Sequence, residues 1–464
     1  MTTSGTETIS QAAPASPAGP LGDGETGLPA PPVLPGGPRR QTLRFSVRQS
    51  SLLIAAQRRY GDVFSLDLSQ ERVTYTSHPD HVRSLLTADP AVAPSLTGQS
   101  PLRPIVGDSS VLTAVGPRHM RQRKLLLPAF HGEAIAHYRD QITIAAEREI
   151  AGWPVGKPFR LAPAAQAITL DVILAGVFGI DGRPAPGTAE HRLRRTVRGI
   201  LALSVGPGAK LAELLNVGSD EAVGAQRLAM DWLDRAIYPL IAARRAAHRP
   251  GEGHDVLSML LDARTEEGEQ LTDLELRNEL VTLVLAGHET TANTLAWAFE
   301  RLLRTPAAYD RLRESVRSGE DDGYVDAVIH EAMRIRPVVP TIGREVLVPW
   351  RLGDVAVPAG SRILISILLL HRRADLYPDP LAFRPERFLG VKPGTYTWLP
   401  FGGGIRRCLG AALAMAELRI VLREIVLRTD MAAVDAAAER PAHRNVTMIP
   451  AAGARLTVTA RRPG

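Results

Sequence analysis

Phe401-Gly402-Gly403-Gly404-Ile405-Arg406-Arg407-Cys408-Leu409-Gly410 contains the only cysteine in a chain of 464 residues. A lone cysteine is usually a small buried hydrophobe. This one stands directly before an apolar helical pattern over residues 409–428, where the unpaired N–H groups and dipole of a helix N-terminus favour thiolate over thiol. Gly404 and Gly410 flank it, and glycine lets backbone come close where a Cβ would collide. A single cysteine excludes an intramolecular disulfide and any zinc site made of several thiolates, and such sparse use fits a reducing compartment.

The 45% apolar content suits one large globular unit or two smaller ones. Residues 1–40 are dense in Pro, Gly, Ala and Ser, with Pro29, Pro31, Pro32, Pro35 and Pro38 close together, so a disordered leader is expected there and a single domain over 41–464. Residues 1–9 are polar and resemble neither a secretory signal nor an anchor. The apolar runs 280–287 and 363–370 fall short of the roughly 20 residues that span a bilayer. No membrane span and a cytoplasmic location are therefore expected. The net charge of +6 comes from scattered arginines with few aromatics among them, and lysine occurs only at Lys124, Lys157, Lys210 and Lys392. That distribution argues against nucleic acid as a partner.

Hydrophobic periodicity predicts a helix over 50–60, paired strands at 63–68 and 72–76, and a long helical stretch over 118–264 broken by loops at 204–208 and 249–253. Thr272 and Asp273 open a helix that Gly287 interrupts and that resumes to 304; another covers 326–334, with strand-like segments at 346–350 and 362–370. The fold class expected is mainly α with a small β-sheet region. There is no internal repeat, and the glycines at 402–404 lack the strand-to-helix context of a dinucleotide or phosphate loop.

Three further constellations carry chemistry. Ala286-Gly287-His288-Glu289-Thr290-Thr291 places a hydroxyl and a carboxylate beside a glycine on an otherwise apolar helix, a combination suited to moving protons. Its bland alternative is a solvated face, which the flanking Leu280, Leu283 and Leu285 disfavour. Glu331 and Arg334 lie three apart on one helix face and can pair; alone, such a pair means little. His119 and Arg123 are four apart and would by themselves pass for surface decoration.

Taken in order, these motifs resemble the cytochrome P-450 family. Residues 401–410 match its F-x-x-G-x-R-x-C-x-G pattern at every fixed position, an accident expected on the order of once in ten thousand chains of this length. Residues 286–291 match A-G-x-[DE]-T-T, 331–334 match E-x-x-R, and Phe383 to Phe388 resemble the P-E-R-F element. The resemblance covers roughly 119–410 and leaves the leader unmatched. It implies the cytochrome P-450 fold, haem b as cofactor and Cys408 as the axial thiolate ligand of iron. Propionate contacts fall to His119, Arg123, Arg344 and Arg406, and close approach to haem to Phe401, Gly404, Gly410, Ala286 and Gly287. Thr290 and Glu289 become the catalytic pair, Thr290 as a hydrogen-bond donor, with His288 pointing away from iron. Glu331, Arg334 and Arg387 become a buried structural network.

The implied activity is insertion of one atom of O2 into a small lipophilic substrate, by hydroxylation or epoxidation in secondary metabolism. Electrons would come from NAD(P)H through a ferredoxin reductase and a ferredoxin to a monomeric enzyme. The pocket segments would be 93–112, 283–290, 338–342 and 446–449, with Leu283, Val339, Thr341, Thr447 and Met448 as lining residues and Arg103 as their only Arg or Lys. A neutral terpenoid or polyketide suits them better than a fatty acid, which would want a fixed cation. Two other readings stay open: a haem-thiolate peroxygenase or rearrangement enzyme, whose relatives tend to lose the acid-threonine pair, and a non-catalytic haem sensor or carrier, which would not need it.

Overall fold

The computed structural model describes residues 15–22, 27–69, 71–130, 133–180, 182, 184–204, 221–264, 268–319 and 323–462. Its contacts divide into two compact units interleaved along the chain: Met1–Leu96, Ala296–Cys408 and Met431–Thr457 form one, Thr97–Leu295, Leu409–Asp430 and Val458–Gly464 the other.

The first unit is built on a four-stranded sheet. Val63–Asp67 pairs antiparallel with Arg72–Thr76, which runs parallel to Ser361–Ser366, which in turn pairs antiparallel with Thr341–Val346. Successive side chains of a strand point to opposite faces, and the sequence sorts accordingly. Phe64, Leu66, Val73 and Tyr75 pack with Leu52, Leu53 and Ala56 of the helix Pro38–Tyr60. Val63, Val346, Ile363 and Ile365 pack on the other side with Val82, Leu85 and Leu86 of the helix Pro79–Thr87 and with Trp350.

Two expectations need correction in this unit. Residues 346–350 do not form a strand; Thr341–Val346 and Trp350–Leu352 lie on either side of a turn that contains Pro349, which has no N–H to give a ladder. The run 362–370 is a strand only to Ser366, whose hydroxyl accepts from Leu369 N at 3.3 Å and caps a helical turn at Ile367–Leu370; an apolar run alone does not distinguish the two states.

The leader also differs from expectation where it is described. Ala18–Pro20 pairs antiparallel with Trp350–Leu352, Val33 bridges to Ser65, Leu34 is buried, and helix begins at Pro38. Proline-rich chain is tolerated at a sheet edge because an outward-facing N–H is not needed there. Residues 1–14 and 23–26 of the expected leader lie outside the described residues.

The second unit is mainly helical, with the short strand Pro158–Arg160. Leu161–Phe178 is long and apolar enough to cross a membrane, a property the sequence reading overlooked, yet 72% of it is buried within the protein. The loop expected at 249–253 lies between helices that end at Ala247 and begin at Val256, whereas 205–208 of the other expected loop are outside the described residues. The central helix runs Asp273–Leu302, with its residues up to Leu295 in this unit. A capping box sets its start: Thr272 Oγ1 accepts from Glu275 N at 3.2 Å, and Glu275 Oε2 accepts from Thr272 N at 3.0 Å.

Gly287 does not interrupt the central helix. A Cβ there would lie 2.6 Å from Ile173 Cδ1 of the helix Leu161–Phe178, so packing is the reason for glycine at this point.

Candidate active site

In the first unit, the cysteine loop is shaped by its glycines. Gly402 and Gly404 have φ of 65° and 62°, the left-handed region that glycine alone enters without penalty. A Cβ on Gly404 would lie 2.2 Å from Leu86 O. Cys408 N donates to Phe401 O at 2.8 Å, closing the loop, and Cys408 itself is exposed. Helix then begins at Ala411 with Gly410 as N-cap, two residues later than the sequence pattern implies. Gly410 has no neighbour nearer than Phe130 Cδ1, 3.9 Å from a notional Cβ.

A chain of buried hydrogen bonds supports this loop from behind. Arg334 donates through Nε and Nη2 to both oxygens of Glu331, at 2.6 and 2.8 Å, and to the carbonyls of His371, Pro380 and Ala382. Glu331 also accepts from Arg384 N at 2.8 Å and Arg387 Nε at 3.2 Å. Glu331, Arg334 and Arg387, predicted as a network, are thus brought together. The sequence reading missed the residue that connects them to the cysteine loop. His371 Nε2 accepts from Leu399 N at 2.9 Å, so Nδ1 carries the proton and donates to Arg334 O at 3.1 Å. Burial holds the imidazole neutral, with its pKa down to about 3. The only sequence signal was a histidine ending an apolar run, which by itself has no direction.

In the second unit, the central helix carries the predicted acid-threonine pair. Thr290 Oγ1 donates to Ala286 O at 2.7 Å, and Glu289 and Thr290 are half-buried. His288 is buried and turned back along the helix, with Nδ1 3.0 Å from Val284 O; its own carbonyl accepts from Thr169 Oγ1 at 2.7 Å. Leu283 is buried and Ala286 exposed. Glu417, on the helix Ala411–Arg428, went unnoticed in the sequence. Burial pushes its carboxyl up to about 8, opposed in part by the Thr291 hydroxyl.

The predicted propionate residues divide between the units. His119 is buried and Arg123 half-buried, one turn apart on Gly116–Leu126. In the first unit, Arg406 is half-buried in the turn Gly404–Arg406. Arg344 gives the sharpest test of whether the residues present fit a haem. It is 5% exposed, donates only to Gly343 O, and has no carboxylate partner among the described residues. Burial pulls its pKa down to about 10. A buried guanidinium is stable only with an anion beside it, and a haem propionate is such an anion.

Of the expected pocket residues in the first unit, Met448 N donates to Val338 O at 2.7 Å, which sets Thr447 and Met448 beside the segment carrying Val339 and Thr341. The Thr447 hydroxyl donates to Arg444 O at 2.9 Å, whereas Thr341 Oγ1 is buried with no partner among the described residues. In the second unit, Arg103 is held by Asp108, with Nη2 donating at 3.0 Å.

A family model for cytochrome P450 matches residues 35–457. Cytochrome P450 137 of Mycobacterium tuberculosis is 39% identical over 440 residues, which cover 92% of this chain and 91% of that protein. Cytochrome P450 135B1 of Mycobacterium bovis is 39% identical over 456 residues, 95% of this chain and 93% of that one. Among solved structures, retinoic acid-bound cyanobacterial CYP120A1 superposes with a TM-score of 0.77 at 23% identity, covering 94% of this chain and 100% of that one; at that identity the likeness speaks for the fold. With its family pattern matched along nearly its whole length, the chain belongs to the cytochrome P450 family and is a haem b-dependent monooxygenase.

Proposed function

We propose that the chain inserts one oxygen atom of O2 into a neutral lipophilic small molecule, by hydroxylation or epoxidation in secondary metabolism, with Cys408 as the thiolate ligand of haem iron. One observation carries this reading: the only thiol of the chain stands exposed at the end of a loop fixed by two left-handed glycines and by the Phe401 carbonyl. Haem, when bound, supplies the iron at which O2 is activated, and a thiolate ligand favours O–O cleavage.

The residues of the chain hold and feed that centre. Arg344, Arg406, His119 and Arg123 bind the propionates, and the buried, acid-free setting of Arg344 supports its part. Ala286, Gly287, Phe401, Gly404 and Gly410 give the haem close backbone approach. Glu289 links the distal side to solvent. The hydroxyl proton of Thr290 is committed to Ala286 O, so its lone pairs accept from a protonated group or an ordered water. This replaces the donor role expected from sequence. Glu331, Arg334 and Arg387 keep the cysteine loop in shape.

A neutral substrate is supported by the pairing of Arg103 with Asp108, which leaves no uncommitted arginine or lysine in segments 93–112, 283–290, 338–342 and 446–449 to anchor a carboxylate. Leu283, Val339 and Met448 would supply apolar wall, with Thr341 and Thr447 as hydrogen-bonding points. Electrons would arrive from NAD(P)H by way of a ferredoxin reductase and a ferredoxin, and the exposed Arg118, Lys124 and Arg407 suit an acidic donor. The enzyme is read as a cytoplasmic monomer; helix 161–178, long and apolar enough to span a membrane, is largely buried within the protein instead.

The test is spectroscopic. Reduced holoenzyme with carbon monoxide should give the thiolate-type carbonyl spectrum, and Cys408→His should lose it. A histidine-type spectrum in freshly prepared, active enzyme overturns the assignment. Screening lipophilic compounds for the shift caused by loss of iron-bound water would then identify the substrate class.

A further inference from the structure

Three consecutive residues of the central helix hold one loop. Arg277 donates through Nη1 to Ile105 O at 2.8 Å, Asn278 through Nδ2 to Ser109 Oγ at 2.6 Å, and Glu279 Oε1 accepts from Val111 N at 2.8 Å. Consecutive side chains of a helix diverge by about 100°. Here Arg277 Nη1 bends towards its neighbour and also donates to Asn278 Oδ1 at 3.1 Å, so the three side chains meet residues 105–111 as a connected group. The fit is close: Gly107 has φ of 75°, and a Cβ there would lie 2.3 Å from Asn278 Nδ2. The loop is also tied to itself by Thr113 Oγ1, which donates to Gly107 O at 2.5 Å.

Of the three holds, only the third is made by a carboxyl. Arg277 is neutralised by Asp234, with Nε 2.8 Å from Oδ1. Glu279 is fully buried, and among the described residues its second oxygen has no partner and no cation touches it. The charged groups that face it are Glu275, one turn back on its own helix and bound to Arg121 at 3.1 Å, and Arg118 of the helix Gly116–Leu126. Burial pushes the Glu279 carboxyl up to about 8, with Glu275 adding to the shift and the Val111 N–H and Arg118 opposing it. An ionised Glu279 would be a buried anion served by one N–H, a state that opening of the loop relieves by hydration.

We propose that Glu279 is a positioning residue whose neutral carboxyl keeps the 105–113 loop closed on the central helix and whose ionisation releases it. The closed loop binds the proton more tightly than the open one. Closure is therefore strongest below the carboxyl's ordinary value and weakens as pH rises towards about 8. Release does not depend on what the loop encloses. Its consequence for substrate entry rests on the proposal that residues 93–112 line the pocket.

Hydrogen exchange in the holoenzyme reads the latch directly. Protection of the amides of 107–113, taken relative to their intrinsic rates, should fall on the order of tenfold or more between pH 6 and 8.5. Glu279→Gln, a neutral isostere, should flatten that profile. Arg118→Gln, which removes an opposing cation at an exposed position, should move the midpoint to higher pH. A flat profile in the unsubstituted enzyme, or an unchanged one in Glu279→Gln, overturns the proposal. The association rate of 4-phenylimidazole with the haem, compared between the enzyme and Glu279→Gln at each pH, separates the two readings. Loop release with equal rates in both proteins upholds the latch and overturns the placing of 93–112 at the pocket.

Discussion

Thr290 places a hydroxyl where its own helix takes up the proton: the 2.7 Å bond to Ala286 O is ordinary back-bonding for a helical threonine. Removing the hydroxyl should therefore cost little stability, about 1 kcal/mol or less. Losing a positioned participant in proton transfer typically costs a factor of about 100 to 10,000 in the step it serves. Thr290→Ala should bind haem and substrate almost normally and go on oxidising NAD(P)H, while diverting much of the consumed oxygen to hydrogen peroxide. Product and peroxide per NAD(P)H are the quantities to measure. Unchanged coupling would remove Thr290 from the chemistry, and loss of haem would make it structural. The position of this residue was legible in A-G-x-E-T-T; the direction of its hydroxyl was not, because a motif does not say where a proton points.

Within the cysteine loop, two glycines with nearly the same φ allow conformational and steric costs to be separated. Gly402→Ala pays for left-handed backbone alone, about 1–2 kcal/mol, since the nearest atom to its Cβ is 4.0 Å away. Gly404→Ala pays that and also a Cβ 2.2 Å from the Leu86 carbonyl, which only backbone movement relieves. Denaturant unfolding should find Gly404→Ala clearly the less stable, and haem should dissociate from it faster. Equal losses in the two variants would mean that Leu86 yields freely. That Gly404 must be glycine was readable from the pattern; that Leu86 is the reason was not, because the contact joins segments more than 300 residues apart. The same limit hid His371, Glu417 and the hold of Arg277, Asn278 and Glu279 on their loop. Local periodicity did find the strands 63–67 and 72–76 and the capped start of the central helix, where the signal lies within one turn or one hairpin. It failed at 346–350 because composition was read as strand across a proline.

Across the chain, a net charge of +6 carried almost wholly by arginine bears on electron delivery. Arg121, on the same helix as Arg118 and Lys124, is bound to Glu275 at 3.1 Å, so reversing it would break an internal pair as well. Lys124 is exposed and is the better probe. Turnover at limiting ferredoxin should fall as salt rises, since exposed charges are screened beyond about 8–10 Å at physiological ionic strength, and Lys124→Glu should slow it further at low salt. Indifference to both would reduce the positive charge to compositional bias. The buried Arg334 has a consequence of another kind, for the order in which the protein assembles. Its carbonyl acceptors lie 37, 46 and 48 residues further along the chain, and bringing such segments together has an entropic cost that must be met before their contacts form. Until they close, His371 has no Arg334 carbonyl to bond and Leu399 no fixed acceptor, so the cysteine loop has no shape to offer. Haem capture should then follow the meeting of the loop's remote supports, which a nascent chain completes only once Leu399 has been made.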